Sequence, residues 1–194
     1  MATATVSGDG AANAVAHITG TTSTKMLWPE DSIPTTFTVC SVTRYTGGSR
    51  GRILNCLNSP SQSLNWLHGH GPPSSRGIAF YGAAKRSGNV GNVDDWLVMC
   101  GTNAGATAPG NIILDQSEIG TTDGGDGGGR LNIGYYENSN WALHSVLIWD
   151  YSLGIAPVPF HVTPCLSISV TVCLDASLSM VRFSGFCIRC LRAR

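Results

Sequence analysis

A chain of 194 residues is long enough for one domain with tails, and its 12% charged residues lie well below the roughly 25% usual in soluble domains. Twelve basic and twelve acidic residues cancel, and no basic stripe interrupts the balance, so the composition argues against nucleic-acid binding. The 24 glycines and nine prolines, with no long helical pattern between them, point to an all-β protein.

The first two dozen residues are small and polar without periodicity, and 1–16 read as a loose lead-in to a domain spanning 17–153. They hold no basic segment followed by an apolar core, so they do not read as a signal peptide. Order is expected from "MLWPEDSIP", with Trp28 and Ile33 as first anchors. "FTVCSVTRY" at 37–45 alternates β-branched and aromatic residues as a strand does. "TGGSRG" then reads as a hairpin turn returning through "RILNC", and "LNWLHGH" and "GIAFYG" follow after further turn signals. The run "WLVMCG" is apolar on both faces, which predicts a strand inside a sheet with both surfaces covered. "NIILD" and "SEIG" are predicted to pair, and after "TTDGGDGGG" the last two strands are predicted over 131–136 and 141–149. In the last strand Val146 and Ile148 should face one layer, Leu147 and Trp149 the other. Cys40, Cys56 and Cys100 sit in apolar strand-like runs and read as buried free thiols acting as small hydrophobes.

Taken in order, "FTVCSVTRY", "DDWLVMCG", "NIILDQSEIG", "LNIGYY" and "WALHSVLIWDYSL" resemble the laminin G-like members of the concanavalin A-like lectin/glucanase superfamily. The closing strand runs into Trp149-Asp150-Tyr151-Ser152-Leu153, similar to the aromatic-Asp-x-x-Leu turn that ends such domains. The resemblance covers about 17–153. It implies a jelly-roll β-sandwich of two antiparallel sheets, an extracellular or cell-surface location and calcium at a sheet rim.

Catalysis is not expected. The glucanases of that superfamily carry E-x-D-x-E on one strand face, whereas the three glutamates here, Glu30, Glu118 and Glu137, form no such pattern. Asp94 and Asp95 are adjacent and would point to opposite faces of a strand. "GGSRG" spells a nucleophile elbow but has no helix after it. "CIRC" at 187–190 has zinc-like spacing, yet Cys165 and Cys173 do not form the second tight pair. Binding is the expected role, with carbohydrate or a protein surface as partner. Trp66 and Trp141, beside Asn65 and Asn140, could stack and hydrogen-bond a sugar at a rim. His68 and His70, two apart in an extended run, share a face and join Trp66, Asn140 and Trp141 as ligand candidates. Asp123 and Asp126 in the glycine loop are the calcium candidates, although so many glycines read more readily as a flexible loop. The alternatives are a structural spacer domain of a larger protein and a degenerate glucanase-like enzyme.

After residue 153 the resemblance stops. Residues 1–153 carry eleven acids against eight bases, while 154–194 carry one acid against four arginines and four of the seven cysteines. The uncharged run 155–174 is too rich in Pro, Ser, Thr and His for a membrane span. The segment reads as an atypical tail outside the domain.

Overall fold

The computed structural model describes residues 2–59, 62–82, 85–86, 90–103, 112–114, 117–120, 124–152 and 170–173. Its first feature departs from the sequence reading. Strands β1 (Ala2–Gly8) and β2 (Ala11–Gly20) pair antiparallel, so 2–16 belong to a hairpin and are not a loose lead-in. The physical reason is the turn: Asp9 and Gly10 both adopt left-handed backbone, φ 52° and 79°, the requirement of the two-residue turn that Asp-Gly favours. The alanine-rich strands on either side masked that signal.

The chain continues through β3 (Met26–Leu27), β4 (Thr38–Arg50), β5 (Leu54–Ser59), β6 (Gln62–Gly71), β7 (Ser75–Tyr81) and β8 (Lys85–Arg86). Then follow β9 (Leu97–Thr102), β10 (Ile112–Leu114), β11 (Ser117–Gly120), β12 (Arg130–Ile133), β13 (Ser139–Trp149) and β14 (Val170–Cys173). No helix occurs among the described residues. The strands form an eight-stranded sheet, β1-β2-β13-β4-β9-β10-β11 with β14 beside β13, and a six-stranded sheet, β3-β12-β5-β6-β7-β8. Among the described residues all pairs are antiparallel except β13 with β14, where Val146 to Trp149 match Val170 to Cys173. That pairing is where the described part of the tail meets the fold.

One core lies between the sheets. Val39, Tyr45, Leu97, Met99, Trp141, Leu143, Val146 and Ile148 come from the first sheet; Leu54, Cys56, Trp66, Tyr81, Leu131 and Ile133 come from the second. Trp28 and Ile33 join them as the sequence predicts. Alternation explains the division: Val146 and Ile148 are buried while Leu147 and Trp149 are half-buried. The apolar run at β9 is flanked by β4 and β10, inside the sheet as expected.

Two readings of local sequence are corrected. Cys40 and Cys100 are not free thiols; they face each other across β4 and β9 and form a disulfide. Sixty residues separate them in the chain, and only strand pairing makes them neighbours. Cys56 is free and buried, as expected, and burial pushes its thiol up to about 12. The stretch "GGSRG" does not close a hairpin either. It carries the chain from β4 in one sheet to β5 in the other.

The described part of the glycine loop, 124–129, is anchored, contrary to the flexible reading. Asp126 N–H donates to the Tyr81 carbonyl, Gly129 N–H to that of Ile33 at 2.9 Å, and Asn103 Nδ2 to that of Gly125 at 3.1 Å. Glycine is needed at 129 for close approach, because a Cβ there would overlap Cys56 Sγ and the Leu57 carbonyl. Gly129→Ala is therefore expected to cost about 1–3 kcal/mol, the scale of core overpacking. Urea unfolding measures it; a loss below about 0.5 kcal/mol, the range of an ordinary surface substitution, would mean the contact yields freely.

Candidate functional site

The sequence candidates divide by burial. Trp66, His68, His70 and Trp141 are each 0% exposed. Trp66 packs in an aromatic cluster with Phe37 and Tyr81, ring centroids 5.9 and 5.2 Å away. Trp141 lies against Gly20. Neither tryptophan reaches a rim, because the inward positions of β6 and β13 take the largest rings. Asn140 is half-buried, and its Oδ1 accepts the Ser49 N–H at 3.2 Å, tying β13 to the end of β4. Asp126 is exposed and its carboxylate lies over Gly82; Asp123 falls outside the described residues, as do Cys165, Cys187 and Cys190. Among the described residues no group of three His, Cys, Asp or Glu side chains could hold a metal ion.

The two histidines do share a side of β6, and both reach across to the other sheet. His68 Nε2 lies 3.2 Å from the Met99 carbonyl, and its Nδ1 lies 2.8 Å from the Tyr81 hydroxyl. A carbonyl can only accept, so Nε2 carries the proton and Tyr81 donates to Nδ1. His70 Nδ1 meets the Thr43 hydroxyl at 3.1 Å, and Tyr45 packs edge-on at 4.6 Å. A register shift between Gly69 and His70 turns the second ring toward β4. His70 Nε2 and Ser41 Oγ, both buried, have no hydrogen-bond partner among the described residues. Burial lowers His68 to about 4. His70 falls to about 3 through burial first, then through the charges of Arg76 and His68. Both are neutral at physiological pH. The seam they form joins the two sheets.

The exposed chemistry lies elsewhere. Tyr136 and Tyr135 follow β12 in the turn before β13 and are 61% and 38% exposed; Leu27, on the edge strand β3, is also 38% exposed. Arg52 supports this turn from below. Its backbone N–H and Nε donate to the two Glu137 oxygens, each at 3.1 Å. Nη1 donates to the Trp66 carbonyl at 3.2 Å and Nη2 to Asn65 Oδ1 at 2.6 Å. The guanidinium also sits 5.5 Å from the Tyr136 ring centre, and Lys25 Nζ sits 5.1 Å from that of Tyr135. Arg52 itself is 8% exposed, so the network is a built platform that holds two tyrosines toward solvent.

Sequence reading missed this platform. One signal was available: "GYYEN" places two aromatics side by side in a polar turn, and neighbouring residues cannot both enter one core. The Arg52–Glu137 pairing had none, since the partners lie 85 residues apart. On the side of the eight-stranded sheet, Arg50 grips Asp94 through both carboxylate oxygens at 2.7 and 2.5 Å, and Arg44 pairs with Asp9 at 2.5 Å. Asp94 is thus engaged by an arginine. No protein-family model matches the chain, and no curated protein is detectably similar to it.

Proposed function

We propose that the chain is a non-catalytic binding module for carbohydrate or protein surfaces, built on a jelly-roll sandwich like those of laminin G-like domains. The observation that carries this reading is the Tyr135–Tyr136 platform, two exposed rings, one beside Lys25 and the other beside a buried Arg52 that also binds Glu137 and Asn65. Aromatic faces stack on the apolar side of a sugar ring, while Asn65 and Glu137 offer the acceptors such a ligand needs. The same amphipathic tyrosines suit a protein partner, where they supply contact area at little entropic cost. The Cys40–Cys100 bridge accords with an oxidising, extracellular or cell-surface setting. Calcium remains part of the proposal only through Asp126 with Asp123. A structural spacer is the second reading, favoured by the complete burial of Trp66, His68, His70 and Trp141.

A glycan array probed with and without calcium tests the binding reading. Any glycan retained should bind Tyr136→Ala about tenfold more weakly, the loss expected for one stacked ring. Calcium dependence that disappears in Asp123→Ala with Asp126→Ala would assign the ion to the glycine loop. No retained glycan and no Tyr136-dependent protein partner would leave the spacer reading.

A further inference from the structure

Among the described residues five strands have a partner on one side only: β1, β11 and β14 in the eight-stranded sheet, β3 and β8 in the six-stranded one. Such an edge presents unpaired N–H and C=O groups that can pair with another chain, and shortness, charge, proline or a bulge commonly prevents it. Four of the five are protected in this way. β3 and β8 have two residues each, and β8 is Lys85-Arg86; β11 has four with Glu118 among them, and β14 has four. β1 differs. Its seven residues, "ATATVSG", are uncharged and hold no proline. Its pairing with β2 runs without interruption from Ala2 opposite Thr19 to Val6 opposite Val15, and the register shifts only beyond Val6. The rows of this pair fix the faces of β1. Thr3 and Thr5 share the side of Ile18 and Ala16, whereas Ala2, Ala4 and Val6 share that of Thr19, His17 and Val15.

We propose that β1 is a self-association edge, on which a second copy of this chain pairs antiparallel about a two-fold axis at Ala4, joining the eight-stranded sheets of the two copies into one. The stretch "ATATV" is close to a palindrome. About that axis Thr3 lies opposite the partner's Thr5, Ala2 opposite the partner's Val6, and Ala4 opposite the partner's Ala4. Directly opposed residues share a face, so hydroxyls meet hydroxyls on one side and small apolar groups meet on the other. Such threonine pairs are favourable across strands, and no like charges are opposed. The edge offers no charge for a charged peptide to recognise, whereas its own sequence complements it. Alternate residues of an edge strand point their backbone groups outward, so residues 2–6 of two copies supply about four to six bonds. At about one bond per 100–200 Å² this is an interface of roughly 400–1,200 Å², the low end for specific contacts, so the association is weak and reversible. Closure by the two-fold axis limits it to a dimer. The inference stands whether or not the Tyr135–Tyr136 platform binds a ligand, since that platform follows β12 in the other sheet.

Sedimentation equilibrium of the full chain, from micromolar to millimolar concentration, tests it. A reversible monomer–dimer equilibrium is expected. Ala4 is the position to vary, because its row lies on the face away from Ile18, a core residue. Ala4→Lys and Ala4→Glu each oppose two like charges at the axis, so each should weaken the dimer about fivefold at low salt. Mixing the two variants should restore association as a mixed dimer, because lysine then faces glutamate. Amide hydrogen exchange in the unmodified chain is a readout that needs no variant. Exchange in 3–6 should slow as concentration rises, while β4 and β13 stay unchanged. A chain that remains monomeric to millimolar concentration would overturn the proposal. So would a dimer that Ala4→Lys leaves as tight as before, a mixture no tighter than either variant alone, or assembly that continues past the dimer. Exchange in β1 that ignores concentration would overturn it as well, whatever the variants do.

Discussion

Lowering the pH from 6.5 to 5 should destabilise this protein by about 3 kcal/mol, because each of two histidines contributes up to about 1.4 kcal/mol per pH unit once the pH is below its unfolded value. His68 and His70 hold folded-state values of about 4 and about 3, well below the ordinary 6.5. Well above 6.5 neither state is protonated at these sites and the fold keeps its full stability. As pH falls below 6.5 the unfolded chain takes up two protons that the folded chain refuses, so the equilibrium shifts toward unfolding. The loss continues until pH reaches the folded values. Over this window it reaches about 3 kcal/mol, a large part of the roughly 5–15 kcal/mol that holds an ordinary domain together. The range above pH 5 is chosen because ordinary carboxylates are still ionised there. Urea denaturation at four pH values measures the slope, and His70→Gln should about halve it. A stability that stays flat from pH 6.5 to 5 would sink the assignment of both rings as neutral core groups.

Reduction of the Cys40–Cys100 bridge is the other large effect. A cross-link spanning 60 residues restricts the unfolded chain, which by loop entropy stabilises the fold by about 4 kcal/mol. Cys40→Ala with Cys100→Ala, or added thiol reductant, should lower Tm by about 10 °C at the 2–4 °C per kcal/mol of a domain this size. Cys56 serves as the control. Buried, with its thiol raised to about 12, it should resist alkylation in the folded protein under both conditions. Equal Tm with and without reductant would mean that the two sulfurs are not joined in solution.

Much of the local architecture was legible in the chain. Strands were readable at 37–45, in "WLVMCG", in the "NIILD"–"SEIG" hairpin and in the final strand, because alternation and turn residues are encoded within a few positions. The inward and outward faces of 146–149 followed from the same two-residue period. Reading failed where the cue was weak or the meaning depended on distant partners. The Asp9-Gly10 turn sat between strands too alanine-rich to announce themselves. "GGSRG" looks alike whether it returns the chain into one sheet or passes it to the next, and only β5's partners distinguish the cases.

The candidate site shows the same division. The sequence by itself determined that the protein would be all-β, that Trp28 and Ile33 would enter its core and that His68 and His70 would share a side of their strand. Each of these follows from residue type and spacing along a short segment. The tertiary structure alone decided that those histidines span the gap between two sheets, that Cys40 bonds Cys100, and that Arg52 reaches Glu137 beneath the exposed Tyr136. Such outcomes depend on which strands become neighbours, a choice made by packing the whole set of apolar faces at once. No window of the sequence contains both members of any of these pairs.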